Sequence, residues 1–224
     1  AHAMLFENGI LTDLGTLGGN QSHAFGVNEK GEIVGSSITT SNQLHAFVWK
    51  NGVMHDLGTL GEGSSAQSIN YKGQVVGECF YPFHISHACF WKNGSIYDLG
   101  TLGGPMGTAT DINEKGQIVG TSSTPENVNH AFLWQDGTMI DLGTLGGYTA
   151  HALGINNKGQ IVGQSNTVSG YHHAFLWENG IMIDLGTIGG DLSTAYSIND
   201  SGEIVGSTTV DSTNITRNAF IWKN

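Results

Sequence analysis

The chain repeats itself five times. The string Asp-Leu-Gly-Thr begins at Asp13, Asp56, Asp98, Asp141 and Asp184, at spacings of 43, 42, 43 and 43 residues. A second string, Ile/Val-Asn-x-x-Gly-x-Ile/Val-Val-Gly, places its asparagine at Asn28, Asn70, Asn113, Asn156 and Asn199. A third, His-Ala-Phe-x-Trp, ends at Trp49, Trp91, Trp134, Trp177 and Trp222, so all five tryptophans are one repeat position. A fixed period of this length belongs to arrays in which each unit buries its apolar face only against a neighbour.

Each repeat reads as four short strands. In the third copy, strand a runs from Thr108 to Ile112 and turns at Asn113-Glu114-Lys115-Gly116. Strand b is Gln117 to Ser122, and a polar loop follows. Strand c is His130 to Trp134, turning at Gln135-Asp136-Gly137 into strand d, Thr138 to Leu142. Asn-Gly and Asp-Gly suit tight hairpins because both positions accept positive φ at small cost. Four strands in about 43 residues, five times over, predict an all-β chain: a five-bladed β-propeller of four-stranded antiparallel blades. The expectation is one domain over residues 1–224. The N-terminal strand d, about residues 10–14, is expected to close the last blade. One strand c is then surplus, either residues 1–6 or residues 218–222.

Composition agrees and narrows the function. Glycine is 34 of 224 residues, roughly twice the usual share, and most glycines fall once per repeat in turns. The chain is 38% hydrophobic, too apolar for a disordered linker. With 8 Lys+Arg against 19 Asp+Glu, the formal charge of −11 disfavours nucleic acid and anionic membranes. No apolar run approaches the roughly 20 residues of a membrane span. Cys79 ends strand b and Cys89 lies in the adjacent strand c. A disulfide and two small buried side chains both fit that placement.

The motifs His-Ala-Phe-x-Trp, Asp-Leu-Gly-Thr-Leu-Gly-Gly and Ile-Asn-x-x-Gly-x-Ile-Val-Gly cover nearly the whole chain. In them the chain resembles the HAF repeat family of bacterial sequences. The resemblance implies an exported protein, extracellular or at the cell surface, and carries no biochemical activity with it. Departures are local: Met4 and Phe6 in the N-terminal copy, Cys89 for Phe, Asn218 for His, and Glu62 within the glycine pair. The layout is also similar to that of WD repeats, without their dipeptides.

Positions shared by all copies mark scaffold, and positions that differ are free to specialise. The d–a and b–c loops differ most, and they share one rim. The residues singled out there are His23, Tyr81, His84, Asp111, Tyr148, His151, Tyr171, His172, Asp191 and Tyr196. Aromatic faces beside hydroxyls, amides and imidazoles suit neutral sugars, which stack on one face and hydrogen-bond at their edges. The expectation is a non-catalytic, lectin-like carbohydrate-binding module, architecturally similar to tachylectin-type lectins. Two alternatives stay open: a protein-interaction or surface-scaffold propeller, and a glycoside-acting enzyme drawing on Asp111 and Asp191. Near-identical blades weigh against a catalytic centre, which needs asymmetry. A glycan or protein is the expected partner of a monomer, with no cofactor and no metal. The repeated histidines (His2, His45, His87, His130, His173) and the Asp of each Asp-Leu-Gly-Thr are read as structural.

Overall fold

The computed structural model describes residues 1–211 and 214–223. The described chain is all-β, and no helix in it is long and apolar enough to cross a membrane. It divides into two compact units, Ala1–Gly100 and Thr101–Asn224.

In the first unit, β1 (Met4–Glu7) pairs with β2 (Ile10–Asp13) as a two-stranded hairpin. The first full repeat is the sheet β3 (Gly18–Val27), β4 (Ile33–Thr39), β5 (Leu44–Lys50) and β6 (Val53–Gly58). The second is β7 (Gly63–Ile69), β8 (Val75–Tyr81), β9 (Ile85–Lys92) and β10 (Ser95–Asp98). In the second unit, the third repeat is β11 (Gly107–Ile112), β12 (Ile118–Ser123), β13 (Asn129–Gln135) and β14 (Thr138–Asp141). The fourth is β15 (Gly146–Ile155), β16 (Ile161–Thr167), β17 (His172–Glu178) and β18 (Ile181–Gly186). The fifth has three strands, β19 (Ser193–Ile198), β20 (Ile204–Asp211) and β21 (Asn214–Trp222).

The expectation of five four-stranded sheets is therefore corrected. The described residues form six antiparallel sheets: four of four strands, one of three and one of two. Strand d of the N-terminus pairs with the strand c immediately before it, so residues 1–6 are not surplus. Local closure explains this. Asn8 (φ 51°) and Gly9 (φ 80°) make a two-residue turn between them, and a partner two residues away costs little loop entropy.

The repeated residues explain the repeated shape. The side chain of Asn113 accepts the N–H groups of Lys115 and Gln117, both at 3.0 Å, and so shapes the a–b turn. Its Nδ2 also donates to the carbonyl of Asn156 in the next repeat at 3.0 Å. The same link joins Asn156 to Asn199 (3.0 Å), and Asn28 to Asn70 (3.1 Å) in the first unit. Each repeated His sits 2.8–3.0 Å from its Asp: His2–Asp13, His45–Asp56, His87–Asp98, His130–Asp141 and His173–Asp184. Each Asp also takes the N–H of the glycine two residues on, as at Gly143 (2.8 Å). The Gly15 N–H first, then His2, holds the Asp13 carboxyl below the usual carboxylate range. This is the structural role expected of both residues. Ser122, near this pair, accepts the N–H of Leu102 at 2.9 Å.

Apolar clusters join neighbouring sheets within each unit. Val119, Ala131 and Leu133 of the third repeat meet Ala152, Ile155 and Phe175 of the fourth. Val162 and Leu176 then meet Ala195, Ile198 and Ile204 of the fifth. In the first unit, Ala3 and Leu14 of the hairpin pack on Ile33 and Phe47. The strand b glycine lets strand a come close. A Cβ on Gly120 would lie 2.0 Å from the Thr108 carbonyl oxygen, so any side chain there would collide with backbone.

The second repeat solves one problem differently. Cys79 stands where the others have Ser37, Ser122, Ser165 and Thr208, and Cys89 where they have Phe. The two form a disulfide with Cα atoms 5.8 Å apart.

Candidate functional site

Strand b opens with a shared apolar-apolar-Gly run, and the next residue differs between copies: Ser36, Glu78, Thr121, Gln164 and Ser207. In the second unit this residue pairs with an equally variable residue of strand a, as Thr108 with Thr121, His151 with Gln164 and Thr194 with Ser207. The residue before the strand c motif is variable too: Asn129, His172 and Arg217. Each repeat thus presents a row of three variable residues on one face of strands a, b and c, in which the strand c residue stands two positions along, opposite Ser123, Asn166 and Thr209 in the second unit.

Strand a bears a bulge at the same place in every repeat. Its pairing with strand b slips between Ala109 and Asp111, Ala152 and Gly154, and Ala195 and Ser197. The extra residues are Thr110, Leu153 and Tyr196. A bulge re-aims its extra side chain and often stands beside a site.

Between the rows of the third and fourth repeats lies an open cavity of about 390 Å³. Thr108, Thr121 and Asn129 line it from one row, His151 and Gln164 from the other. The bulge residues Thr110 and Leu153 complete the wall together with Met106 and Gly107. Thr121 Oγ1 lies 3.2 Å from His151 Nδ1. Thr110 donates to the carbonyl of Ala152 at 2.9 Å and so fixes one edge. Burial, and then the neighbouring His172, push the His151 imidazole below its usual pKa, so it is neutral at pH 7. His172 Nδ1 is shielded from solvent with no hydrogen-bond partner among the described residues. No residue lining the cavity carries a formal charge at neutral pH.

Of the residues singled out from sequence, His151 lines this cavity, and His172 stands close enough to it to lower its pKa. The others are dispersed or occupied. His23 is exposed on β3, stacked on Phe25. Tyr81 is a brace rather than a free ligand contact: its hydroxyl donates to Asp98 at 3.2 Å and its ring packs against His87. Burial first, then Asp98, raise its pKa to about 12. His84 lies in a one-turn 3₁₀ segment, Pro82–His84, with φ of 60°. Asp111 is occupied by backbone: its carboxylate accepts the N–H groups of Ile112 (2.9 Å) and Ile155 (3.0 Å). The second of these bonds ties the third repeat to the fourth. Tyr148 is 81% exposed and Tyr171 45% exposed, both at the strand ends of the fourth repeat. Asp191 is half-buried before β19, and the Tyr196 hydroxyl lies 2.9 Å from Ser207 Oγ. Of the fifth b–c loop, Thr209 to Arg217, residues 212–213 lie outside the described residues.

Sequence reasoning missed Thr121, Gln164, Asn129 and the bulge residue Thr110. The signal was available for the first two, since one variable position inside an otherwise shared strand b is conspicuous. Among the described residues, no group of three or more His, Cys, Asp or Glu side chains gathers as a metal site.

No protein-family model matches the chain, and no curated protein matches it. Solved structures do. One is the β-propeller domain of the Trilobed protease from Pyrococcus furiosus, described as an open velcro topology. It is 9% identical over 91% of this chain and 66% of that one, with a TM-score of 0.58. This likeness shows the β-propeller fold and nothing more. Others are a gluconolactonase from Xanthomonas campestris (12% identity, 83% and 69% coverage, TM-score 0.46) and a mutant of AofleA from Arthrobotrys oligospora (14%, 96% and 72%, 0.48). Because the gluconolactonase is an enzyme, the expectation that this chain is not one is withdrawn. At a TM-score of 0.46 that likeness gives the chain no activity either.

Proposed function

We propose that the chain binds a saccharide in the cavity between the third and fourth repeats. The carrying observation is its lining: three threonines, an asparagine, a glutamine and a neutral histidine, with no formal charge. Hydroxyls and amides that donate and accept, beside apolar Leu153 and Met106, match a polyhydroxylated ring with one apolar face. The volume lies toward the small end of ligand sites, which fits one or two rings. Resemblance to HAF repeats and the buried Cys79–Cys89 disulfide both support an extracellular or cell-surface location, since disulfides persist in oxidising compartments. Titration of a saccharide panel by calorimetry, with Thr121→Val and His151→Ala alongside, tests the reading. Binding weakened by both variants supports it; no binding of any saccharide at millimolar concentration removes it.

A second reading rests on the b–c loop of the second repeat. In repeats one, three and four this loop holds one left-handed residue, Asn42, Asn127 or Gly170, types that accept that conformation. The second repeat instead places Phe83 (φ 66°) and His84 (φ 60°) there, and Phe83 is 91% exposed. The disulfide and the Tyr81–Asp98 bond brace the loop. A strained, braced loop presenting a phenylalanine suits an apolar socket on a protein partner. Phe83→Gly should raise stability while abolishing such an interaction; a lower melting temperature counts against this reading.

A further inference from the structure

The polar row of the fifth repeat differs in charge. Thr194, Ser207 and Arg217 take the places of His151, Gln164 and His172. Arg217 is the one arginine of the chain. Its Nη1 donates to Thr194 Oγ1 at 3.2 Å and to Ser207 Oγ at 3.4 Å, and the Tyr196 hydroxyl reaches the same Ser207 oxygen. All these partners are neutral. Among the described residues no carboxylate pairs with the guanidinium, although the chain holds 19 acidic residues against 8 basic ones. Both contacts use Nη1, and among the described residues none is bonded to the Nη2–Nε edge of this exposed side chain. That edge is the one that grips a planar, two-oxygen anion by parallel hydrogen bonds.

The row also connects to the cavity. Thr194 receives from Arg217 and donates its own proton to Gln164 Oε1 at 2.8 Å, and Gln164 lines the cavity. The guanidinium is therefore linked to the cavity wall through one intervening side chain, Thr194. The polar hydroxyl floor orients it without neutralising it. A single positive charge matches a singly charged carboxylate better than a doubly charged phosphate.

We infer that the ligand is an acidic saccharide: a hydroxylated ring sits in the cavity and a carboxylate of the same or the next residue is held by Arg217. This rests on the saccharide reading of the cavity. The assignment is specific to the fifth row, because the other rows offer Leu44, Ser86, Asn129 and His172 where Arg217 stands.

The test uses the whole chain and oligosaccharide pairs of one linkage that differ only in oxidation of the hydroxymethyl group to a carboxylate: glucan and glucuronan, galactan and galacturonan, mannan and mannuronan. Calorimetry should show the acidic member of one pair binding roughly 10- to 100-fold more tightly, the range for a charge-assisted hydrogen bond. Arg217→Gln should erase that preference and leave the neutral member's affinity unchanged. Arg217→Lys, which keeps charge but not the fork, should retain only part of it. Equal affinity for both members, or an unchanged preference in Arg217→Gln, overturns the inference while leaving the saccharide reading intact. A sulfated oligosaccharide bound as tightly as the uronate overturns the carboxylate assignment. No binding of any member removes both readings. Arg217 is exposed, and an unchanged melting temperature in each variant confirms that it folds.

Discussion

Reducing the Cys79–Cys89 disulfide should destabilise the first unit by about 2.7 kcal/mol. The bridge spans a sequence separation of 10 residues, and loop-closure entropy for a loop of about that length gives this value at 25 °C. For a chain of this size the melting transition should fall by roughly 5–10 °C. The other repeats suggest a way to replace the bridge. At the equivalent positions Ser122 accepts the Leu102 N–H at 2.9 Å and Ser165 accepts the Leu145 N–H at 2.9 Å, while Phe47, Phe132 and Phe175 are fully buried. One hydrogen bond contributes about 1 kcal/mol and a buried phenylalanine about 1.5–3 kcal/mol. Cys79→Ser with Cys89→Phe should therefore come within about 1 kcal/mol of the oxidised protein and ignore reductant. Cys79→Ser with Cys89→Ser gains the hydrogen bond without the ring and should melt well below both. Urea unfolding followed by far-UV circular dichroism, with and without dithiothreitol, measures all three. Two results would refute the reasoning: no effect of reductant on the natural chain, or a Ser/Phe variant no more stable than the Ser/Ser variant. Either would mean that the second repeat does not share the packing logic of its neighbours.

Other consequences are more direct. Gly120→Ala should destabilise the second unit by several kcal/mol, because its Cβ would meet the Thr108 carbonyl at 2.0 Å and backbone cannot step aside cheaply. Gly137→Ala, where nothing lies within 4 Å, should cost only the strain of its φ of +85°; similar losses at both sites would contradict the close-approach argument. His151 should titrate below 6.5 by NMR, and His172→Asn should raise its pKa partway, since burial is the larger cause and persists. The folded state binds a proton at His151 less readily than the unfolded chain does. Stability in the second unit is therefore full at neutral pH and declines as pH falls from about 6.5 through the lowered value. His151→Asn should flatten that decline, and an unchanged pH profile would show that His151 is not its source.

Much of the scaffold was legible because it is repeated. Asn-Gly turns, a glycine in strand b and a His and Asp fixed in each copy need only local chemistry, and five copies show which residues that chemistry requires. The identity of the strands followed from turn residues and β-branched runs. The number of strands per sheet did not follow, because motif counting cannot tell whether Ile10–Asp13 pairs with the strand before it or with a distant one. The two-residue turn at Asn8-Gly9 makes the near partner cheaper, and the hairpin forms. The site was half legible. His151 and His172 stood out as variable polar residues, and the second stands close enough to the first to lower its pKa. Tyr81 and Asp111 stood out equally, yet one is held by Asp98 and the other by backbone N–H groups of the next repeat. A sequence displays which side chains can hydrogen-bond but not whether those bonds are already made.

The sequence by itself determined a repeating all-β scaffold, with the turns, glycines and His–Asp pairs that each copy needs. Tertiary structure decided which variable residues face one another. A bulge that re-aims Thr110, Leu153 and Tyr196, and rows aligned across neighbouring sheets, place residues some 40 positions apart on one cavity wall and beside a single guanidinium. Each repeat's own turns and apolar alternation fix its pairing register, and packing between neighbouring sheets then sets which rows face one another.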